Sequence, residues 1–124
     1  MFADQSDSCS GGYAAQISAR RREKATIFDL SGDVDFANSR QLRQFVLREI
    51  QENQTPQVVV NLSAVRYIDS SVVASLVEAL KASRNLGVLF ILFGLSTPAR
   101  QVLQLSRLIK VFEIYETEGQ AAAP

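Results

Sequence analysis

Val88-Leu89-Phe90-Ile91-Leu92-Phe93 is apolar at every position, and Val58-Val59-Val60-Asn61-Leu62 nearly so. Runs of five or six such residues, β-branched and bounded by turn signals, are too short for buried helices. They suit strands covered on both faces. Between them Val73, Leu76, Val77 and Leu80 recur at helical spacing, so the two runs are predicted to be parallel strands joined by a helical crossover. This pair restricts the chain to an α/β architecture.

The rest of the chain adds elements to that pair. Residues 1–12 are small and polar, end in Gly11-Gly12, and read as a flexible leader. Tyr13, Ala15, Ile17 and Ala19 alternate with mostly polar residues, Arg21 to Lys24 form a turn, and Ala25 to Leu30 form a second strand of a hairpin. The cluster Arg20-Arg21-Arg22 reads as part of a solvated turn. Ser31-Gly32-Asp33 ends the second strand, and Asp35 or Asn38 can cap a helix whose buried face carries Leu42, Phe45, Val46 and Ile50. Gln57 to Leu62 is the first central strand, followed by a loop to Asp69. Thr97-Pro98 starts a third helix that buries Val102, Leu103, Leu105 and Leu108, and Val111 to Tyr115 alternates like an edge strand. One domain over 13–116, followed by a short tail at 117–124 that frays, accounts for the chain.

Composition removes most chemistries. Lys+Arg and Asp+Glu both total 13 in 124 residues, so no net field draws the chain to nucleic acid or an anionic membrane. With no histidine there is no Ser-His-Asp triad, His-based metal site or His phosphorelay. The single cysteine, Cys9, has no partner for a disulfide or a zinc site, which suits a reducing cytosol. No phosphate-cradling glycine loop is present. No apolar run approaches the roughly 20 residues that span a bilayer, and the leader lacks the pattern of a signal peptide. A cytoplasmic domain with no metal and no cofactor is expected, and catalysis is not.

The remaining feature is Asp69-Ser70-Ser71, where the first central strand hands over to a helix. Unpaired backbone N–H groups and the positive end of a helix dipole meet there. Taken by position alone, Ser70 is a helix cap or a place for a phosphate, Ser71 a capping or packing residue, and Asp69 a tie for the loop. Asp33 and Asp35 shape the turn and cap the first helix.

Gly32-Asp33-Val34-Asp35, Val58 to Leu62, Tyr67-Ile68-Asp69-Ser70-Ser71, Gly87 to Phe93, Thr97-Pro98 and the run from Leu105 to Tyr115 occur in one order. Together they resemble the STAS domain, the fold of bacterial anti-sigma factor antagonists, over roughly Ile17 to Glu116. The resemblance implies a single domain with a mixed central sheet of about five strands and helices mainly on one face. It also implies a non-enzymatic partner switch. The unphosphorylated antagonist binds an anti-sigma factor that is a serine kinase, the kinase phosphorylates the serine after the aspartate, and a serine phosphatase resets it. Carried onto this chain, the phosphoacceptor is Ser70 with Ser71 the lesser alternative, and Asp33, Asp35, Asp69 and Val72 belong to the partner surface. The family usually has glycine where this chain has Val72, and that bulk motivates a second reading. In it the chain is a constitutive subunit of a stress-signalling scaffold or a lipid-transport complex, without a working phosphoswitch. A serine-nucleophile enzyme ranks last, for want of a histidine base or a lysine near the motif.

Overall fold

The computed structural model describes residues 14–52 and 55–122. The leader at 1–12, with Cys9, Gly11 and Gly12, and also Tyr13, lie outside them. Five strands form one sheet in the order β1 (Gln16–Arg22), β2 (Ala25–Val34), β3 (Gln57–Ile68), β4 (Leu89–Phe93), β5 (Glu113–Tyr115). β1 and β2 are antiparallel and every other pair is parallel, so the sheet is mixed as expected. The helices are α1 (Phe36–Gln51), α2 (Ser70–Leu86), α3 (Thr97–Leu105) and the single turn α4 (Glu118–Ala121).

Alternation along the strands sends side chains to two faces. On the front, Phe28, Leu30, Val58, Val60, Leu62, Phe90 and Leu92 pack with Leu42, Val46 and Ile50 of α1, Val73, Leu76 and Leu80 of α2, and Ala99 and Leu103 of α3. On the back, Ile27, Val59, Ile91 and Phe93 are covered by Ala121 and Ala122. The tail expected to fray is therefore docked. Thr117 and Gln120 make a capping box around α4, and Gln57 Nε2 donates to the Ala121 carbonyl at 2.7 Å. Glu118 accepts from Arg20 at 2.6 Å and from Arg22 at 2.9 Å, and Arg20 also reaches Asp29. Arg21 pairs with Glu49 on the other side of β1. The arginine cluster is thus part of a strand, paired residue by residue, and not of a solvated turn. The turn itself is only Glu23-Lys24, with Glu23 at φ 55°.

β2 and β3 both run further than their apolar cores suggest. Strand pairing resumes as Ser31↔Ala64 and Gly32↔Val65 after one register shift, and as Asp33↔Tyr67 and Val34↔Ile68 after a second. Each shift leaves one extra residue on β3, a bulge that breaks the two-residue alternation. Gly32 sits between them at φ 79°, a backbone angle that disfavours any side chain. The extension carries the chain past the sheet core and delivers two aspartates, Asp35 and Asp69, side by side at the starts of α1 and α2.

Two apolar expectations on the helices are corrected. Phe45 lies at the margin of α1, 36% exposed, because the buried stripe runs through Ser39, Leu42, Val46 and Ile50. Leu105 is 85% exposed, because α3 ends at that residue and turns away under the Ser106 cap.

Candidate functional site

The C-terminal ends of β2 and β3 are neighbours in a parallel pair, so the helices that follow start together. α1 is capped by Asp35, whose carboxylate accepts from Ala37 N at 3.0 Å, while Asn38 Oδ1 accepts from Asp35 N at 3.3 Å. α2 is capped by Asp69. Its Oδ1 accepts from Ser71 N at 3.0 Å and Val72 N at 3.2 Å, and also from Ser71 Oγ. Its carbonyl accepts from Val72 N and Val73 N. The cap of α2 is therefore Asp69, and Ser70 is the first helical residue.

This division of labour separates the two serines. Ser70 is exposed, whereas Ser71 is half-buried and donates to Asp69. The expectation that the first amides of α2 stand free for an anion is corrected in part: those of Ser71 and Val72 already face the Asp69 carboxylate. A phosphate on Ser70 would add its charge beside that carboxylate.

Val72 is corrected outright as a surface residue. It is 0% exposed and belongs to the front core with Val73 and Leu76. The second residue after Ser70 points inward in this helix, so the valine fills core volume and offers a partner nothing. Asp33, half-buried, pairs in register with Tyr67, and Asp35 is half-buried in its cap. Both stay at the edge that holds Ser70.

Residues passed over in the sequence surround this edge. Phe36, first in α1, is 72% exposed, and Tyr67 is 51% exposed. A cleft of about 440 Å³ runs between α1 and α2, lined by Phe36, Arg40 and Arg43 on one side and by Ser71, Ala74 and Glu78 on the other. Arg43 and Glu78 bridge it at 2.9 Å. A signal for Phe36 exists, since a large aromatic directly after a capping aspartate precedes the buried stripe of its helix. Tyr67 carries no such signal until the β3 bulges are known.

Among the described residues no group of three or more His, Cys, Asp or Glu side chains is placed to hold a metal ion. No described helix is long and apolar enough to cross a membrane. Large shifts in protonation occur on the back face, away from Ser70. The Arg20 hydrogen bond holds Glu118 down at about 2, with Arg22 adding to it, and the same guanidinium lowers Asp29.

Comparison with known proteins agrees with this fold. The family model of the STAS domain matches residues 16–121. An anti-sigma F factor antagonist from Paenibacillus polymyxa is 26% identical over 106 residues, covering 86% of this chain and 91% of that protein. The crystal structure of an anti-sigma factor antagonist from Mycobacterium paratuberculosis superposes with a TM-score of 0.77 at 20% identity, over 87% of this chain and 91% of that one. The Bacillus cell fate determinant SpoIIAA in its phosphorylated form superposes with a TM-score of 0.67 at 22% identity, over 87% and 96%.

Proposed function

The chain belongs to the STAS domain family, and from that premise we propose that it is an anti-sigma factor antagonist switched by phosphorylation of Ser70. The observation that carries the reading is the placement of Ser70: exposed, first in α2, next to the Asp69 cap, at an edge rimmed by exposed Phe36 and Tyr67. A similar protein bears the name anti-sigma F factor antagonist, and a similar fold has been described in a phosphorylated form.

In the unphosphorylated state an anti-sigma factor docks on this edge in the cytoplasm. That partner is also the serine kinase, and a serine phosphatase restores the starting state. The chain itself catalyses nothing and holds no cofactor, metal, nucleic acid or membrane. Phosphate on Ser70 brings about −1.5 to −2 charges. Because Asp69 already occupies the nearest helix amides, the new charge is left facing the partner. An uncompensated charge buried in an interface costs several kcal/mol, and about 1.4 kcal/mol is tenfold in affinity. The switch acts on the interface and leaves the exposed Ser70 without consequence for the core.

Pull-downs with wild type, Ser70→Ala and Ser70→Asp test the reading. A partner retained by the first two and lost with aspartate is expected; retention by all three would refute the switch and favour the constitutive-subunit reading. That alternative drew on Val72 as an interface residue, and Val72 is in the core.

A further inference from the structure

Two hydroxyls sit next to each other at this site, and a kinase that approaches one approaches both. We propose that Asp69 is a positioning residue that selects between them: it holds Ser71 Oγ as a hydrogen-bond donor and leaves Ser70 Oγ free to take the phosphoryl group. The proposal rests on the reading of Ser70 as phosphoacceptor and adds the device that makes the choice.

The geometry treats the serines oppositely. Ser71 is tied three ways. Its N and Oγ both donate to Asp69 Oδ1, and its carbonyl accepts from Ser75 Oγ at 3.1 Å. Ser75 Oγ also lies 3.3 Å from the Ser39 carbonyl, which ties this turn of α2 to α1. Ser71 lines the α1–α2 cleft, with Phe36 and Arg40 on the opposite wall. To meet a nucleoside triphosphate its hydroxyl must leave a charge-assisted hydrogen bond and swing out of that cleft. Ser70 is exposed and engages no side-chain partner among the described residues.

In the transfer, Ser70 Oγ forms a bond to the γ-phosphorus of ATP held by the kinase. The bond from that phosphorus to the β–γ bridging oxygen breaks, ADP leaves, and the hydroxyl proton passes to a base of the kinase. Asp69 takes no part in these bonds. It removes the competing nucleophile.

The test uses the full chain co-expressed with its anti-sigma factor kinase, with phosphate assigned to each serine by fragment mass spectrometry. Wild type and Asp69→Asn, whose amide oxygen can still accept from Ser71, should carry phosphate on Ser70. Asp69→Ala should raise the Ser71 share by about tenfold or more, the scale of one charge-assisted hydrogen bond. A readout independent of any kinase is the Ser71 hydroxyl proton in NMR spectra. It should exchange slowly in wild type and Asp69→Asn and be lost in Asp69→Ala, with circular dichroism showing all three folded. Phosphate on Ser70 with an unchanged ratio in folded Asp69→Ala overturns the selector and leaves the switch standing. Phosphate mainly on Ser71 in wild type means that Asp69 activates its neighbour, and overturns the selector as well. No phosphate on either serine in wild type removes the switch and the selector together.

Discussion

The two faces of the sheet share their strands and differ in what holds their cover. The front carries three helices of 9 to 17 residues over a continuous apolar core. The back carries one turn of helix over a strip of Ile27, Val59, Ile91 and Phe93, fastened by Glu118 to Arg20 and Arg22 and by Gln57 to the Ala121 carbonyl. Burial scales with apolar area, so the front supplies most of the stability. The back relies on half-exposed charges, which water and salt weaken. The Ser70 edge is built entirely on the front: β2, β3, α1 and α2 position it, and α4 takes no part. Stability can therefore be altered from the back without touching the Ser70 edge, and that edge altered without touching stability.

The largest expected effect is in the front core. Leu62→Ala, at a site with 0% exposure, should cost about 2–5 kcal/mol in urea unfolding. Ile27→Ala, the matched truncation on the back, should fall at the low end of that range, about 2 kcal/mol. Equal losses would deny the contrast between the faces. Next comes Ser70→Asp, which should weaken partner binding in calorimetry by at least about tenfold, or about 1.4 kcal/mol, with the urea midpoint unchanged. Phe36→Ala should cost about 1–2 kcal/mol of binding, the range of an interfacial aromatic, and almost nothing in folding, since its ring is 72% exposed. Unchanged affinity would place the partner elsewhere. Smallest is Glu118→Gln, expected to lose at most about 1 kcal/mol of stability, and less at high salt, with partner binding intact.

Acid should report on the back latch. Glu118 and Asp29 both have folded-state values below their ordinary ones, so the stability they add is complete above those ordinary values and is lost as pH falls. For Glu118 the loss runs from about 4.5 down to about 2. Urea midpoints between pH 5 and pH 2.5 should fall less steeply in Glu118→Gln than in wild type. Parallel slopes would mean that Glu118 is as free in the folded chain as in the unfolded one.

Local chemistry carried much of the fold. The apolar runs at 58–62 and 88–93 are β3 and β4, and the helical stripe between them is α2. The hairpin and α1 also stand where alternation and capping residues put them. Asp69-Ser70-Ser71 was legible as a helix start because strand, acidic cap and apolar stripe follow one another within a few residues. The far end of β3 was not. Its buried residues Leu62, Val65 and Ile68 come every third position, since two bulges interrupt the pleat, and that spacing imitates a loop. Nor was α4, whose four residues lack enough local contact to form alone and depend on arginines about a hundred positions earlier.

By itself, then, the sequence determined the α/β order, the absence of histidine chemistry and the motif that bears the hydroxyls. These depend on side-chain identity and on spacing within one or two turns of chain. Tertiary structure alone decided that Val72 is core, that Phe36 and Tyr67 are exposed beside Ser70, and that Ser71 is held by Asp69 against α1 while Ser70 is not. Those are matters of which way a residue faces once β2 and β3 have paired with their two register shifts. Two serines adjacent in the motif become, in the folded chain, one tethered hydroxyl and one free.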